Sequence, residues 1–104
     1  MFSIGMALRL KSNMYSEYKR RHDELWPEMI RMMSAQDVNM IIYRHGDWLF
    51  LHATAPSAEH YERTKKDPIT PKWNEHMKEV LAVDQNGKLI AHELPLAFSF
   101  GNFA

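Results

Sequence analysis

Residues 2–10 alternate: Ile4, Met6, Leu8 and Leu10 fall on one side, Ser3, Gly5, Ala7 and Arg9 on the other. A period of two is the mark of a strand with one buried face. Ser12-Asn13 then offers side chains suited to capping a helix, and from about Met14 the period changes. Tyr15, Tyr18, His22 and Leu25 recur at helical spacing on one side. Pro27 has no amide hydrogen and crowds the preceding turn. It therefore kinks this helix or opens a second one over residues 27–35 as its first-turn residue. Met29, Met32 and Met33 form the buried side of that second segment.

Two β-rich runs follow, 38–43 and 48–54, with His45-Gly46-Asp47 between them as a hairpin turn. Pro56-Ser57 opens a short helix to about Lys65, and Asp67-Pro68 breaks it. Thr70 as cap and Pro71 at the first helical position start another, whose apolar stripe is Trp73, Met77, Val80 and Leu81. After a turn at Asp84-Gln85-Asn86-Gly87, a last extended segment spans 89–100, interrupted by Pro95 as on an edge strand or bulge. The order β-α-β-β-α-β predicts an α+β fold of the ferredoxin-like split type: a four-stranded antiparallel sheet with helices on one face. No repeat, linker or low-complexity tract is visible, and 104 residues make one domain, 1–104.

Composition removes several classes of function. Thirteen basic and thirteen acidic residues cancel, whereas a nucleic-acid footprint needs a basic excess. The short runs Lys19-Arg20-Arg21 and Lys65-Lys66 are flanked by acids and read as solvated helix faces. The absence of cysteine excludes a disulfide scaffold, thiol catalysis and cysteine-ligated zinc. No apolar stretch is long enough to span a membrane, and no signal-peptide pattern opens the chain, so a cytoplasmic location is expected. Eight methionines and twelve aromatic residues are a surplus for this length. Surplus apolar side chains on a small domain often cover an oligomer interface, so a homodimer is expected. The segment Pro95-Leu96-Ala97-Phe98-Ser99-Phe100 is placed to reach a partner subunit and help close its pocket.

The run Tyr18-Lys19-Arg20-Arg21-His22-Asp23-Glu24-Leu25-Trp26-Pro27-Glu28 carries the most chemistry. It sets a phenol and an imidazole four residues apart, on one face of a helix. Imidazole moves protons near neutral pH, tyrosine holds a hydroxyl, and tryptophan stacks on the apolar face of a sugar or other ring. The plain alternatives are a surface histidine for His22 and core packing for Trp26 and Trp73. His45, His52, His60, His76 and His92 are scattered without metal-ligand spacing, so no metal site is expected; His76 and Glu79, one turn apart, are a weak pair. No glycine-rich phosphate loop is present.

Y-x-x-R-H-D-E-x-W-P-E resembles the signature of the L-rhamnose mutarotase family. Lys72-Trp73-Asn74-Glu75-His76-Met77 resembles that family's second-helix motif. The resemblance covers nearly the whole chain and implies a dimeric α+β barrel fold. It also implies cofactor-independent interconversion of the α and β anomers of L-rhamnose. By the same resemblance His22 is the proton donor, Tyr18 a substrate-binding tyrosine and Trp73 the first of a substrate-binding tryptophan pair. Trp26, whose backbone Pro27 pushes out of the helical region, either fixes the pocket wall or packs the kink. Two positions depart. The second tryptophan is Asn74, and the family's pocket tyrosine on the second strand falls at Met40.

Anomeric exchange needs a base at the anomeric hydroxyl and an acid at the ring oxygen, worth about two to four powers of ten each. His22 suits the acid, its ordinary pKa lying near 6.5; the base is unassigned. Met40 and Asn74 leave open another deoxyhexose such as L-fucose. A non-catalytic dimeric binding module and a small oxygenase of the same architecture are the readings from other classes.

Overall fold

In the computed structural model, which describes residues 1–103, the chain runs β1 (Phe2–Arg9), α1 (Tyr15–Asp23), α2 (Pro27–Ala35), β2 (Asn39–His45), β3 (Trp48–Ala55), α3 (Ala58–Lys66), α4 (Ile69–Met77) and β4 (Ala91–Leu94). The strands form one sheet in the order β2-β3-β1-β4, every neighbouring pair antiparallel. This is the expected ferredoxin-like α+β arrangement.

Register follows from the alternation in β1. Met6 lies opposite Leu51 and Leu8 opposite Leu49, while Met40 and Ile42 of β2 lie opposite Ala53 and Leu51. One sheet face is therefore aliphatic, and the helices cover it. The core joins Leu10 and Leu49 from the sheet side to Tyr18, Met29, Ile69, Trp73 and Met77 from the helices, with Val80 and Leu81 after them. Leu49 is 1% exposed, a position where truncation to alanine costs about 2–5 kcal/mol. The other face carries Ile41, Tyr43, Phe50 and Leu94, all exposed.

Four local expectations need correction. The N-cap of α1 is Met14, with no side-chain hydrogen bond, while Asn13 takes a left-handed conformation (φ 63°) that its short polar side chain tolerates. Helix α4 starts at Ile69 after Pro68, not at Pro71; Asp67 Oδ1 accepts the Ile69 N–H at 3.0 Å, so Asp67 does the capping that Thr70 was expected to do. Pro71 still falls in the first turn, where its missing N–H costs nothing. The last strand is only Ala91–Leu94, because Pro95 cannot donate to β1 and pairing ends there. Lastly, Arg21 does not belong to a solvated face. Its side chain is 13% exposed and its guanidinium donates to the His76 carbonyl and to Glu79 Oε1, both at 2.8 Å.

Candidate active site

Tyr18 and His22 lie one turn apart on α1, so both side chains point toward α4 and the sheet. Pro27 ends α1's run and starts α2, and Trp26 sits at the cap between them with an extended backbone (ψ 134°). The turn brings α2 across the sheet and leaves a gap between helices and strands. The gap is a cavity of about 310 Å³.

Five of the six expected residues line it: Tyr18, His22, Met40, Trp73 and Asn74. Trp26 does not. Its ring packs edge-on behind Trp73, centroids 5.1 Å apart, and lies 5.0 Å from His76. Trp73 is both core and wall: it is 7% exposed and one of the cavity-lining residues. Asn74 and Met40 are exposed at the cavity's open side.

The His22 ring lies 4.3 Å from that of Tyr18 and 5.5 Å from that of Trp73, nearly perpendicular to the latter. Its Nδ1 is 3.3 Å from the Tyr18 carbonyl. A carbonyl oxygen only accepts, so in this contact Nδ1 carries the hydrogen and Nε2 is left as a lone pair. Burial pushes the His22 pKa below its ordinary value, against a smaller upward pull from the Tyr18 carbonyl and from Asp23. The imidazole is neutral at pH 7. Burial also raises the Tyr18 phenol, which stays protonated. Tyr18 is 6% exposed, yet among the described residues its hydroxyl makes no hydrogen bond within the chain, and it is not sealed from solvent. A buried phenol of this kind presents its O–H to the cavity.

Arg21 fixes this wall. Besides its bonds to His76 of α4 and to Glu79 just after it, its Nε donates to Glu17 Oε1 at 3.1 Å, and Arg20 and Arg21 together hold the Glu17 carboxyl down to about 2. Tyr61, Thr64, Lys65 and Thr70 also line the cavity; the sequence pattern marks Thr70 only as a cap and Lys65 only as part of a solvated face, and it marks Tyr61 and Thr64 not at all. Six of the eight methionines line the cavity, so most of the methionine surplus serves its walls, Met40 from the exposed side. Soft, unbranched side chains fill such irregular walls well. A larger hollow, about 660 Å³, lies under the C-terminal segment on the other side of the sheet; none of the expected site residues lines it. No three His, Asp or Glu side chains converge among the described residues in a way that could hold a metal ion. His76 Nδ1 lies 3.9 Å from Glu79 Oε1 as a pair alone.

The sequence profile of the L-rhamnose mutarotase family matches residues 3–98. The chain belongs to the L-rhamnose mutarotase family. That family interconverts α and β anomers, which makes this member an isomerase. The chain is 28% identical over 97 residues to the L-rhamnose mutarotase of Rhizobium johnstonii, covering 90% of this chain and 92% of that one. It is 29% identical over 101 residues to that of Listeria monocytogenes, covering 94% and 97%. The crystal structure of an L-rhamnose mutarotase from Formosa agariphila has the same fold, with TM-score 0.81 and 20% identity over 97% of this chain and all of that one. A dimeric ferredoxin-like protein from an uncultured marine organism shares it at TM-score 0.69 and 14% identity, over 96% and 98% of the two chains.

Proposed function

We propose that this family member is a cofactor-independent aldose mutarotase acting on L-rhamnose or a similar 6-deoxy sugar, with His22 as its proton-transfer group. The observation that carries the reading is the His22 imidazole: half-buried in the cavity wall, tied at Nδ1 to the Tyr18 carbonyl, and without a partner at Nε2 among the described residues. That tautomer makes His22 a base toward the resting substrate. Nε2 takes the proton of the anomeric hydroxyl, and the C1–O5 bond breaks as the C1 carbonyl forms. The imidazolium so produced is the acid, and it returns the proton to the departing O5. The aldehyde turns about C1–C2, and the same transfers in reverse close the other anomer. One group thus supplies both halves, and the proton donor expected of His22 arises during the cycle. The neutral Tyr18 phenol donates to a sugar oxygen beside it, and Trp73 faces the C6 methyl or an apolar face of the ring, held from behind by Trp26.

Met40 and Asn74 favour a second substrate. A thioether cannot donate a hydrogen bond, whereas Asn74 offers both donor and acceptor. Losing one neutral partner for a sugar hydroxyl costs about 0.5–1.5 kcal/mol. A relative of L-rhamnose differing at one hydroxyl, such as L-fucose or L-mannose, then competes with it. Exchange rates measured on all three sugars test the reading. Exchange on at least one supports it, and exchange on none overturns it.

The active assembly is proposed to be a homodimer of cytoplasmic location. Support comes from the apolar outer sheet face and from the tail after Pro95, where Leu96, Phe98 and Phe100 are 76%, 81% and 86% exposed. The fold neighbour described as dimeric adds to it. In this reading the tail crosses to the partner.

A further inference from the structure

Three polar side chains on the cavity wall are engaged within the chain. Thr64 Oγ1 donates to the Tyr61 carbonyl at 2.6 Å, Thr70 Oγ1 donates to the Thr64 carbonyl, and Lys65 is drawn outward to Glu62 at 3.4 Å. Among the described residues, four lining groups make no hydrogen bond within the chain: the Tyr18 hydroxyl, His22 Nε2, the Asn74 amide and the Tyr61 hydroxyl. The first three have roles in the reading above. Tyr61 has none.

Tyr61 stands on α3. Its ring is 5.2 Å from that of Phe2 and lies under Lys65 Nζ, 5.8 Å from the centroid. Packing from both neighbours holds the ring, but phenylalanine would pack equally well. The hydroxyl is what sets tyrosine apart from phenylalanine at this position, because it is the one polar group that the ring brings to the cavity wall. Among the described residues it makes no hydrogen bond within the chain, and it is not sealed from solvent. Burial raises its pKa, with Glu62 and Glu93 adding to the rise and Lys65 opposing it, so the phenol remains a neutral donor. A rigid ring that presents a free O–H into a cavity is a preorganised contact.

We propose that Tyr61 is a specificity-determining residue whose hydroxyl binds one hydroxyl of the sugar. The inference rests on the mutarotase reading for the ligand's being a sugar. Tyr18 and His22 hold the sugar from α1, and Trp73 and Asn74 from α4. A contact from α3 adds a third direction and selects which stereoisomer presents an oxygen there.

Tyr61→Phe keeps the ring and its contact with Phe2, so it isolates the hydroxyl. The test measures L-rhamnose binding, through the fluorescence of the tryptophan in the cavity, and anomer exchange, in wild type and in Tyr61→Phe. The expected result is a dissociation constant raised roughly three- to tenfold with kcat within about twofold. The penalty should vanish for one of the 2-, 3- and 4-deoxy analogues of L-rhamnose, the one lacking the contacted hydroxyl. Unchanged affinity overturns the proposal, as does an equal penalty on every analogue. Weakened binding in Tyr61→Phe together with a wild type that exchanges no anomers upholds the contact and overturns the mutarotase reading. Intact exchange with a silent Tyr61→Phe does the reverse. A wild type that binds none of L-rhamnose, L-fucose and L-mannose overturns both.

Discussion

His22 is a neutral imidazole at pH 7 because its burial opposes the charged form. Two pH dependences follow from that one displacement. As a base, His22 should give a kcat/KM that is flat above pH 6.5 and falls on acidification with a midpoint below the ordinary histidine value. For stability the sign is the same. The folded chain binds this proton less readily than the unfolded one, so the contribution is complete above pH 6.5 and is lost as pH falls from there toward the lower folded pKa. Rate and urea midpoints from pH 5 to 8 check both, and a kcat/KM midpoint above 7 contradicts the base role. Met40 and Asn74 give a second prediction at this scale. Met40→Tyr with Asn74→Trp should shift preference toward L-rhamnose over L-fucose and L-mannose; no shift makes the two departures neutral. The Tyr18–His22 pair was legible in sequence because both residues lie on one helix face within one turn. Tyr61 was not, because its cavity contact depends on how α3 lies over the sheet.

Among elements, the junction of α1 with α4 determines where His22 points. Arg21 bridges it, reaching a carbonyl 55 residues away. No local pattern announces such a contact, which is why a basic run flanked by acids read as solvated. Arg21→Met should lower stability, most of the loss coming from the charged bond to the His76 carbonyl, since Glu79 is largely exposed. The urea midpoint checks it; an unchanged midpoint makes the bridge incidental. Helix and strand identities were readable because period-two and period-3.6 patterns rarely mimic each other over eight residues. Boundaries were less so. At α4 three candidate signals compete, Asp67, Pro68 and Thr70-Pro71, and only the fixed φ of Pro68 followed by the Asp67 bond settles the start at Ile69.

The whole molecule has two apolar faces on its sheet, and only one is covered by helices. Most methionines line the cavity; the apolar surface left outside comes from aromatic and branched residues on the outer face and the tail. Tyr43→Lys with Phe50→Glu places charge in the middle of that face. Wild type should sediment as a dimer at micromolar concentration and the double variant as a monomer; a monomeric wild type contradicts the assembly. The account as a whole turns on whether this fold exchanges anomers through His22. Saturation-transfer NMR on equilibrated L-rhamnose reads that directly: one anomeric proton is saturated and the other is watched. Transfer should appear with wild-type protein and drop on the order of a hundredfold or more with His22→Asn. Equal transfer from wild type and a folded His22→Asn would contradict the account.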